Sequence, residues 1–502
     1  MPHRPDRYHS PVTSFNDDLN GANSESGNGA GERALRSDIR LLGDVLGHVL
    51  RSQFGDELYE LEERVRAQTR SLRESPDSAL QAALYKELDG VPLWSAVRLV
   101  RAFTIYFHLA NTAEQLHRVD TMSEGQGGDD PLGDAFDRIA ASSLRPDEIE
   151  AFARRLDVRP VFTAHPTEAA RRSILDKLRS IHELLVERSL PGTPVRRRAR
   201  IERRITELVE AVVQTDELHQ ERPEPIDEAR NVIYYLEELF NDVVPDVVES
   251  LEDGFAAAGA QLNTGDDMTP LRFGSWVGGD RDGNPNVTAE TTSEVLRLQN
   301  VRALRLLRDA IRGLATELSQ STHIIDVSDE LTASLEKDRE LMPSVYEQFM
   351  RINADEPYRM KCAYMYERVI NALAVARTDD PPPGPVYVSG PELVADLMLM
   401  SESMRANRGG VVAAGRLGRL IRSATVFGLT LAALDVRQDS SVTNEAVGEL
   451  IDLVETGAAD GGFSNLPRED RIKRLTEEIE GSRTLQTPTA NYSPDTAEVL
   501  DV

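Results

Sequence analysis

The chain has 502 residues, 40% of them hydrophobic, which is enough to bury a substantial core. No run approaches the ~18 consecutive apolar residues of a membrane span, no signal peptide opens the chain, and the single cysteine, Cys362, excludes a disulfide framework and a cysteine-based zinc cluster. The net charge of -28 argues against general nucleic-acid affinity. From these features together we expect a cytoplasmic protein with neither nucleic-acid nor membrane partners.

The basic residues are unevenly divided between the two types. Only five of the 57 are lysines, and the other 52 are arginines. An excess of Asp and Glu with few lysines suits a very salty cytoplasm, where salt screens the repulsion between like charges. This is a hypothesis of a halophilic habitat, and an ordinary acidic mesophilic protein remains the alternative.

Residues 1–32 are rich in Gly, Ser, Asn, Asp and Pro, which predicts a disordered polar tail. From Arg33 onward helical patterns dominate, and we expect one large domain over residues 33–502. The segment Met122–Asp134 is predicted as a loop, and Pro381–Pro385 as a stiff connector. Helices are predicted from the apolar spacing in four places: Leu41, Val45 and Val49, continued by Leu58, Leu61 and Val65 after a break at Phe54–Gly55; Trp94–Arg118; Ile201, Ile205, Leu208 and Val212; and Leu304, Leu307, Ile311, Leu314 and Leu318.

Three short apolar strands are predicted, and polar residues follow each of them. Val158–Thr163 leads to His165, Leu271–Val277 leads to Asp280, and Leu429–Val436 leads to Arg437. Barrel-type enzymes place their chemistry at such carboxyl strand ends, so three of them indicate one shared site. Unrelated surface turns are the alternative.

His165 is fixed by its neighbours along the chain. Pro166 disfavours helical geometry at His165, so the histidine is held extended at the strand end. Thr167 is predicted to cap the following helix, whose apolar face is Ile174, Leu175, Leu178, Ile181 and Leu185. The pattern alone leaves a catalytic and a structural histidine equally open.

The other two segments present Trp276, Asp280, Arg281, Asp282 and Arg437. The glycine falls fourth from Asp280 and Thr291 stands at position twelve, which does not fit a calcium loop, and the terminal Gly-Lys-Ser/Thr of a Walker phosphate loop is absent. A tight glycine turn remains, with a local salt bridge as the alternative role of its charges. Arg437 is suited to a bidentate grip on phosphate or carboxylate. Pairing of Arg437 with Asp435 or Asp439 is the structural alternative.

The blocks VFTAHPTEAARR, FGSWVGGDRDGNPNVTAET and FGLTLAALDVRQDS resemble, in order and rough spacing, three blocks of the phosphoenolpyruvate carboxylase family. The resemblance spans about residue 35 to Val502, where NYSPDTAEVLDV resembles the middle of the family's sequence. The later half carries the family's metal-binding carboxylates and a catalytic lysine, so we expect this chain to be a fragment. Thr443 and Val213 depart from the histidine and the tryptophan common in the family.

The resemblance implies a predominantly α fold with a TIM-like α/β barrel, here incomplete, and a homotetramer. It implies carboxylation of phosphoenolpyruvate by bicarbonate to oxaloacetate and phosphate, which replenishes the tricarboxylic acid cycle. His165 would be the catalytic base, while Arg437, Trp276 and, more weakly, Arg281 would bind substrate. Mg²⁺ or Mn²⁺ would be held by the absent half, so the fragment alone is expected to be inactive. Phosphoryl transfer through a phosphohistidine, and a truncated or split assembly partner without catalysis, are the alternatives.

Overall fold

The computed structural model describes residues 29–502 except 124–130, 164–170, 217–223, 263, 266–267, 283, 285, 379–380, 457–461, 464 and 487–489. Within these residues the fold is predominantly α, as predicted, with a small three-stranded parallel sheet. These residues do not show a closed barrel, which therefore stays a prediction. Within the same part of the chain, no helix is long and apolar enough to cross a membrane.

The described residues form twenty α-helices. They are α1 (Gly29–Phe54), α2 (Asp56–Glu74), α3 (Ser78–Asp89), α4 (Leu93–Ser123), α5 (Pro131–Ala140), α6 (Pro146–Ala153), α7 (Arg172–Ser189), α8 (Val195–Val213), α9 (Pro225–Glu238), α10 (Val244–Ala257), α11 (Ala289–Glu317), α12 (Asp329–Leu341), α13 (Pro343–Asn353), α14 (Pro357–Thr378), α15 (Gly390–Ala406), α16 (Gly410–Val412), α17 (Gly418–Phe427), α18 (Ser440–Thr456), α19 (Arg468–Glu480) and α20 (Pro494–Leu500). Two π-helical segments, Leu239–Val243 and Ala413–Leu417, precede α10 and α17.

The chain divides into two compact units. The first comprises residues up to Asp134 together with Thr167–Arg222. Its main core joins α1, α4, α7 and α8, whose predicted apolar stripes are buried, and a smaller core joins α2, α3 and α4. A buried carboxylate reinforces it, since Asp38 Oδ2 lies 2.9 Å from His117 Nε2 and Asp38 Oδ1 lies 3.0 Å from Arg188 Nη1.

The second unit comprises Ala135–Pro166 together with Pro223–Val502. Its core is formed by α9, α11, α14, α15 and α17 together with residues of the sheet, and the Phe273 ring stacks on Phe427 at 5.2 Å. A buried ammonium lies between three helices of this unit, because Lys361 Nζ is 2.8 Å from Asp338 Oδ2 and 2.7 Å from Asp396 Oδ1. The prediction of one domain over residues 33–502 stays a prediction.

The sheet consists of β1 (Val161–Phe162), β2 (Gly274–Ser275) and β3 (Ala433–Leu434), in that order and all parallel. Val161 pairs with Gly274 and Gly274 with Ala433. The strands are shorter than predicted. Pro160 and Pro270 have no N–H to donate and serve only as acceptors on the amino side of the sheet.

The third predicted strand was wrong at its beginning. Residues 428–432 form a turn in which Leu431 N donates to Phe427 O over 3.1 Å, and Leu431 adopts a φ of 66°. Leu431 is nevertheless buried in the core. An apolar run reports burial, which a packed turn satisfies as well as a strand does.

Helix boundaries also corrected some predictions. The loop predicted over Met122–Asp134 is shorter, because α4 continues to Ser123 and Pro131 begins α5 as its first residue, where a missing N–H costs nothing. α7 begins at Arg172 with Arg171 at the N-cap, so the predicted cap at Thr167 is not that of this helix. Thr167 itself lies outside the described residues. Residues 1–28 of the predicted tail also lie outside them, and α1 begins at Gly29.

Candidate active site at the carboxyl end of the sheet

The three predicted strand ends meet at one edge of the sheet. Trp276 N donates to Phe162 O and Asp435 N donates to Ser275 O, both over 2.9 Å. The pairing continues beyond the strands, where Arg281 N donates to Arg437 O over 2.9 Å and Arg437 N donates to Gly279 O over 2.8 Å. The second and third segments therefore run side by side, which brings these two predicted strand ends together.

A tight glycine turn makes this approach possible. Gly279 N and Asp280 N both donate to Trp276 O over 2.9 Å, and Gly278 adopts a φ of 86°. A Cβ on Gly279 would clash with the carbonyl oxygen of Asp435. Only glycine allows the turn to lie against the end of β3 in this way.

Arg437 lies at the centre of the described site. Its Nη2 is 3.1 Å from Asp282 Oδ2, and its Nε is 3.7 Å from Asp280 Oδ1. The guanidinium carbon stacks 4.5 Å from the centroid of the half-buried Trp276 ring. The Arg437 side chain remains 41% exposed, so an anion from solvent can reach it.

Asp280 is unusual among the carboxylates of this site. Burial raises its pKa, the hydrogen bond with Asp282 raises it further, and the positive charge of Arg437 opposes both. Burial disfavours the ionised form of a carboxyl group, and a neighbouring carboxylate adds repulsion. The site thus combines one exposed guanidinium with Asp280, a carboxyl group that binds a proton more readily than an ordinary aspartate does.

The ion pairs of Arg437 and Arg281 differ from the structural alternatives that the sequence left open. Arg437 pairs with Asp280 and Asp282, while Asp439 accepts hydrogen bonds from Ser441 N and Oγ. Arg281 pairs with Glu498 rather than with Asp280 or Asp282 of its own turn.

Arg281 is bound to a helix near the end of the chain. Its Nη2 donates to Glu498 Oε1 over 2.9 Å and its Nη1 to Glu498 O over 3.2 Å, and its side chain is only 7% exposed. Glu498 Oε1 also accepts from Ala289 N, the first residue of α11, over 2.7 Å. Glu498 did not emerge from the sequence, because it is 217 residues from Arg281 and no local pattern marks it.

His165 lies outside the described residues, and so do Pro166 and Glu168. In the sequence it follows the end of β1 at Phe162 by three positions. Of the four predicted site residues, the structure brings Trp276 and Arg437 into contact and binds Arg281 to Glu498. The roles of all four stay predictions.

Comparison with known proteins identifies the family. The family model described as phosphoenolpyruvate carboxylase matches residues 35–502. A protein named phosphoenolpyruvate carboxylase from Roseiflexus castenholzii is 36% identical over 483 residues, and one so named from Bradyrhizobium diazoefficiens is 34% identical over 476. Each alignment covers 93% of this chain and 50% of the relative, so the chain spans about half the length of the curated relatives it matches. The chain belongs to the phosphoenolpyruvate carboxylase family.

Proposed function

We propose that this chain supplies the Arg437 and Trp276 side of a site that carboxylates phosphoenolpyruvate with bicarbonate, giving oxaloacetate and phosphate. The observation that carries the proposal is the exposed Arg437 guanidinium, stacked on Trp276 and held by Asp282. A planar guanidinium can donate two parallel hydrogen bonds to a phosphoryl or carboxylate group. Phosphoenolpyruvate carries both groups, and carboxyphosphate carries a phosphoryl group as well.

The proposed reaction begins when a bicarbonate oxygen attacks the phosphorus of phosphoenolpyruvate, which breaks the bond to the enol oxygen and leaves carboxyphosphate and the enolate of pyruvate. Arg437 holds the phosphoryl oxygens, and Trp276 shapes the bicarbonate pocket. His165, whose ordinary pKa of ~6.5 suits a base near neutral pH, removes the carboxyphosphate proton. Carbon dioxide and phosphate separate, and the enolate carbon attacks the carbon dioxide.

Two further elements of the proposal depend on the family. Mg²⁺ or Mn²⁺ would stabilise the enolate, and its ligands are expected in the other half of the family's sequence. The described residues contain no cluster of three or more His, Cys, Asp or Glu that could hold a metal ion. Arg281 remains a weaker candidate for the same electrostatic surface. A tetramer and an anaplerotic role in the cytoplasm complete the proposal for the whole protein.

Ligand binding by the chain tests the role of Arg437. The sequence has two tryptophans, so Trp94→Phe leaves Trp276 as the only tryptophan and as a reporter for the guanidinium stacked on it. We expect phosphoenolpyruvate to change this fluorescence, and Arg437→Gln to weaken binding at least about tenfold, because hydrogen bonds to charged groups contribute about 1.5–3 kcal/mol.

Arg272→Gln is the matched control for this measurement. The Arg272 side chain is 53% exposed, and its Nε lies 3.8 Å from Asp157 Oδ1. Arg272 precedes β2, so it lies at the opposite, amino end of the strand from Trp276. We expect it to bind phosphoenolpyruvate normally. Binding that survives in Arg437→Gln, or no response to millimolar phosphoenolpyruvate, would contradict the proposal.

Catalysis by His165 is tested in a fusion of this chain with the other half of the Roseiflexus relative. We expect His165→Asn to bind phosphoenolpyruvate and release pyruvate wastefully, with no oxaloacetate. Undiminished oxaloacetate formation would remove His165 from its role. The 502-residue chain alone is expected not to carboxylate. If the chain is a non-catalytic assembly partner, the fusion should be inactive as well.

A further inference from the structure

Helix α4 is apolar on two opposite faces. The inner face is buried in the core of the first unit through Ala102, Ile105, Leu109, Ala113 and Leu116, and it packs against α1 and α7. An amphipathic surface helix would carry polar residues on the other side. Over residues 93–107 α4 instead carries mostly large apolar residues there, and polar residues return on this side from Asn111 onward.

The outer face forms an exposed apolar stripe, consisting of Leu93, Trp94, Val97, Val100 and Phe107. Their exposed fractions are 76, 75, 47, 66 and 60%, respectively. Leu93, Val97, Val100, Thr104 and Phe107 follow one another at alternating spacings of four and three, which aligns them along one side of the helix. This spacing is typical of a helix that packs lengthwise against another helix.

The neighbouring arginines do not shield this stripe. The Arg98 guanidinium lies over the Phe54 ring at 5.1 Å, and Arg101 donates to the carbonyl oxygens of Val212 and Thr215. Both charges are therefore used within the unit. A helix that is apolar all round is normally buried, and contiguous exposed apolar residues usually mark an interaction surface.

We infer that the outer stripe of α4 is a docking surface for an apolar helix from the polypeptide that corresponds to the remaining half of the curated relatives. The relatives are about twice as long as their match to this chain, so the family sequence contains a second half of similar size. The inference does not depend on the proposed reaction.

Thiol labelling tests the occupant with little background. Cys362 is fully buried, and burial raises its pKa to about 12, so the native chain offers no reactive thiol. Val100→Cys places one thiol on the stripe, and Ser75→Cys places one at the exposed polar end of α2 as the control. Each is labelled in the 502-residue chain and in its fusion with the other half of the Roseiflexus relative.

We expect Cys at position 100 to react freely in the 502-residue chain and at least about tenfold more slowly in the fusion, while Cys at position 75 reacts equally in both. Adding Phe107→Glu should restore labelling at position 100 in the fusion. If the thiol at position 100 is protected in the 502-residue chain and the protection grows with protein concentration, a second copy is the occupant. If it is protected there at every protein concentration, another part of the same chain covers the stripe. Either result overturns the inference.

Equal labelling of position 100 in the chain and in every folded fusion also overturns it. A second fusion, made with the Bradyrhizobium relative, guards against one poorly folded hybrid, and circular dichroism checks that each fusion is folded. Protection in either folded fusion, reversed by Phe107→Glu, supports the docking surface. Labelling unchanged in both refutes it.

Discussion

Replacing Lys361 with methionine removes the charge at the centre of the second unit. The ammonium is 1% exposed and lies 2.8 Å from Ser334 Oγ and Asp338 Oδ2 and 2.7 Å from Asp396 Oδ1. Asp396 would keep the hydrogen bond that the Tyr387 hydroxyl donates to its Oδ2 over 2.6 Å. Asp338, whose side chain is 9% exposed, would lose the ammonium that neutralises it.

The expected cost is large, because it leaves a buried carboxylate without its cation. Removing one partner of a buried pair typically destabilises a protein by about 3–5 kcal/mol. The double variant Lys361→Met with Asp338→Leu should recover most of this loss, to within about 2 kcal/mol of the native chain, because no uncompensated charge remains at position 338.

The loss should also depend on pH. Burial raises the pKa of Asp338, and Lys361 opposes that rise. Without Lys361 the pKa in the folded state rises further, so the protonated form is favoured by folding. The contribution of Asp338 is then fully present below the ordinary carboxyl value of 3.8 and is lost as pH rises through the folded-state pKa. The defect of Lys361→Met should shrink as the pH is lowered from neutral.

Urea unfolding measured by Trp276 fluorescence in the Trp94→Phe background is the assay, because Trp276 belongs to the second unit. Lys337→Met is the matched control, since this exposed lysine on the neighbouring α12 should change the free energy of unfolding by less than about 0.5 kcal/mol. A loss below about 1 kcal/mol for Lys361→Met, or one that stays constant with pH, would refute the reasoning.

Three further outcomes are expected. Gly279→Ala should destabilise the second unit by about 1–3 kcal/mol and alter Trp276 fluorescence, because the new Cβ meets the Asp435 carbonyl. Gly410→Ala, whose new Cβ has open space around it, should leave the free energy of unfolding unchanged in the same urea titration. Burial raises the pKa of Glu449, but hydrogen bonds from Ser493 and Thr496 lower it overall. Amide-exchange protection of α20 should therefore fall as the pH drops through the folded-state pKa of Glu449, and protection that persists through this range would contradict the lowered pKa. If the acidic composition reflects a salty habitat, the unfolding midpoint should rise with added potassium chloride, and greatest stability in dilute buffer would contradict that.

The helices could be predicted from local periodicity, and the meeting of the strand ends could be predicted from where polar residues follow apolar strands. Apolar spacings of three and four marked α1, α8 and α11, and parallel strands necessarily bring their carboxyl ends to one edge. The exact strand lengths could not be predicted. The buried turn around Leu431 and the strand-side prolines have the same apolar signature as an extended strand.

Charge partners were harder to predict than elements. Asp435 and Asp439 are two positions from Arg437, about 6.6 Å along an extended chain, whereas a residue on the adjacent strand is only about 4.8 Å away. The bridge between Asp280 and Arg437 therefore brings the carboxylates of the neighbouring segment closer than those of its own. Sequence distance concealed this pair, as it concealed the partnership of Arg281 with Glu498.

The order of the strands in the sheet has a consequence for synthesis. β1 and β3 are separated by about 270 residues, and β2 lies between them in both sequence and space, so no part of the sheet is local. At about 5–20 residues per second, β1 leaves the ribosome on the order of 14–54 seconds before β3 has been made. During that interval the sheet is incomplete, so β1 and its apolar neighbours are exposed to wrong partners.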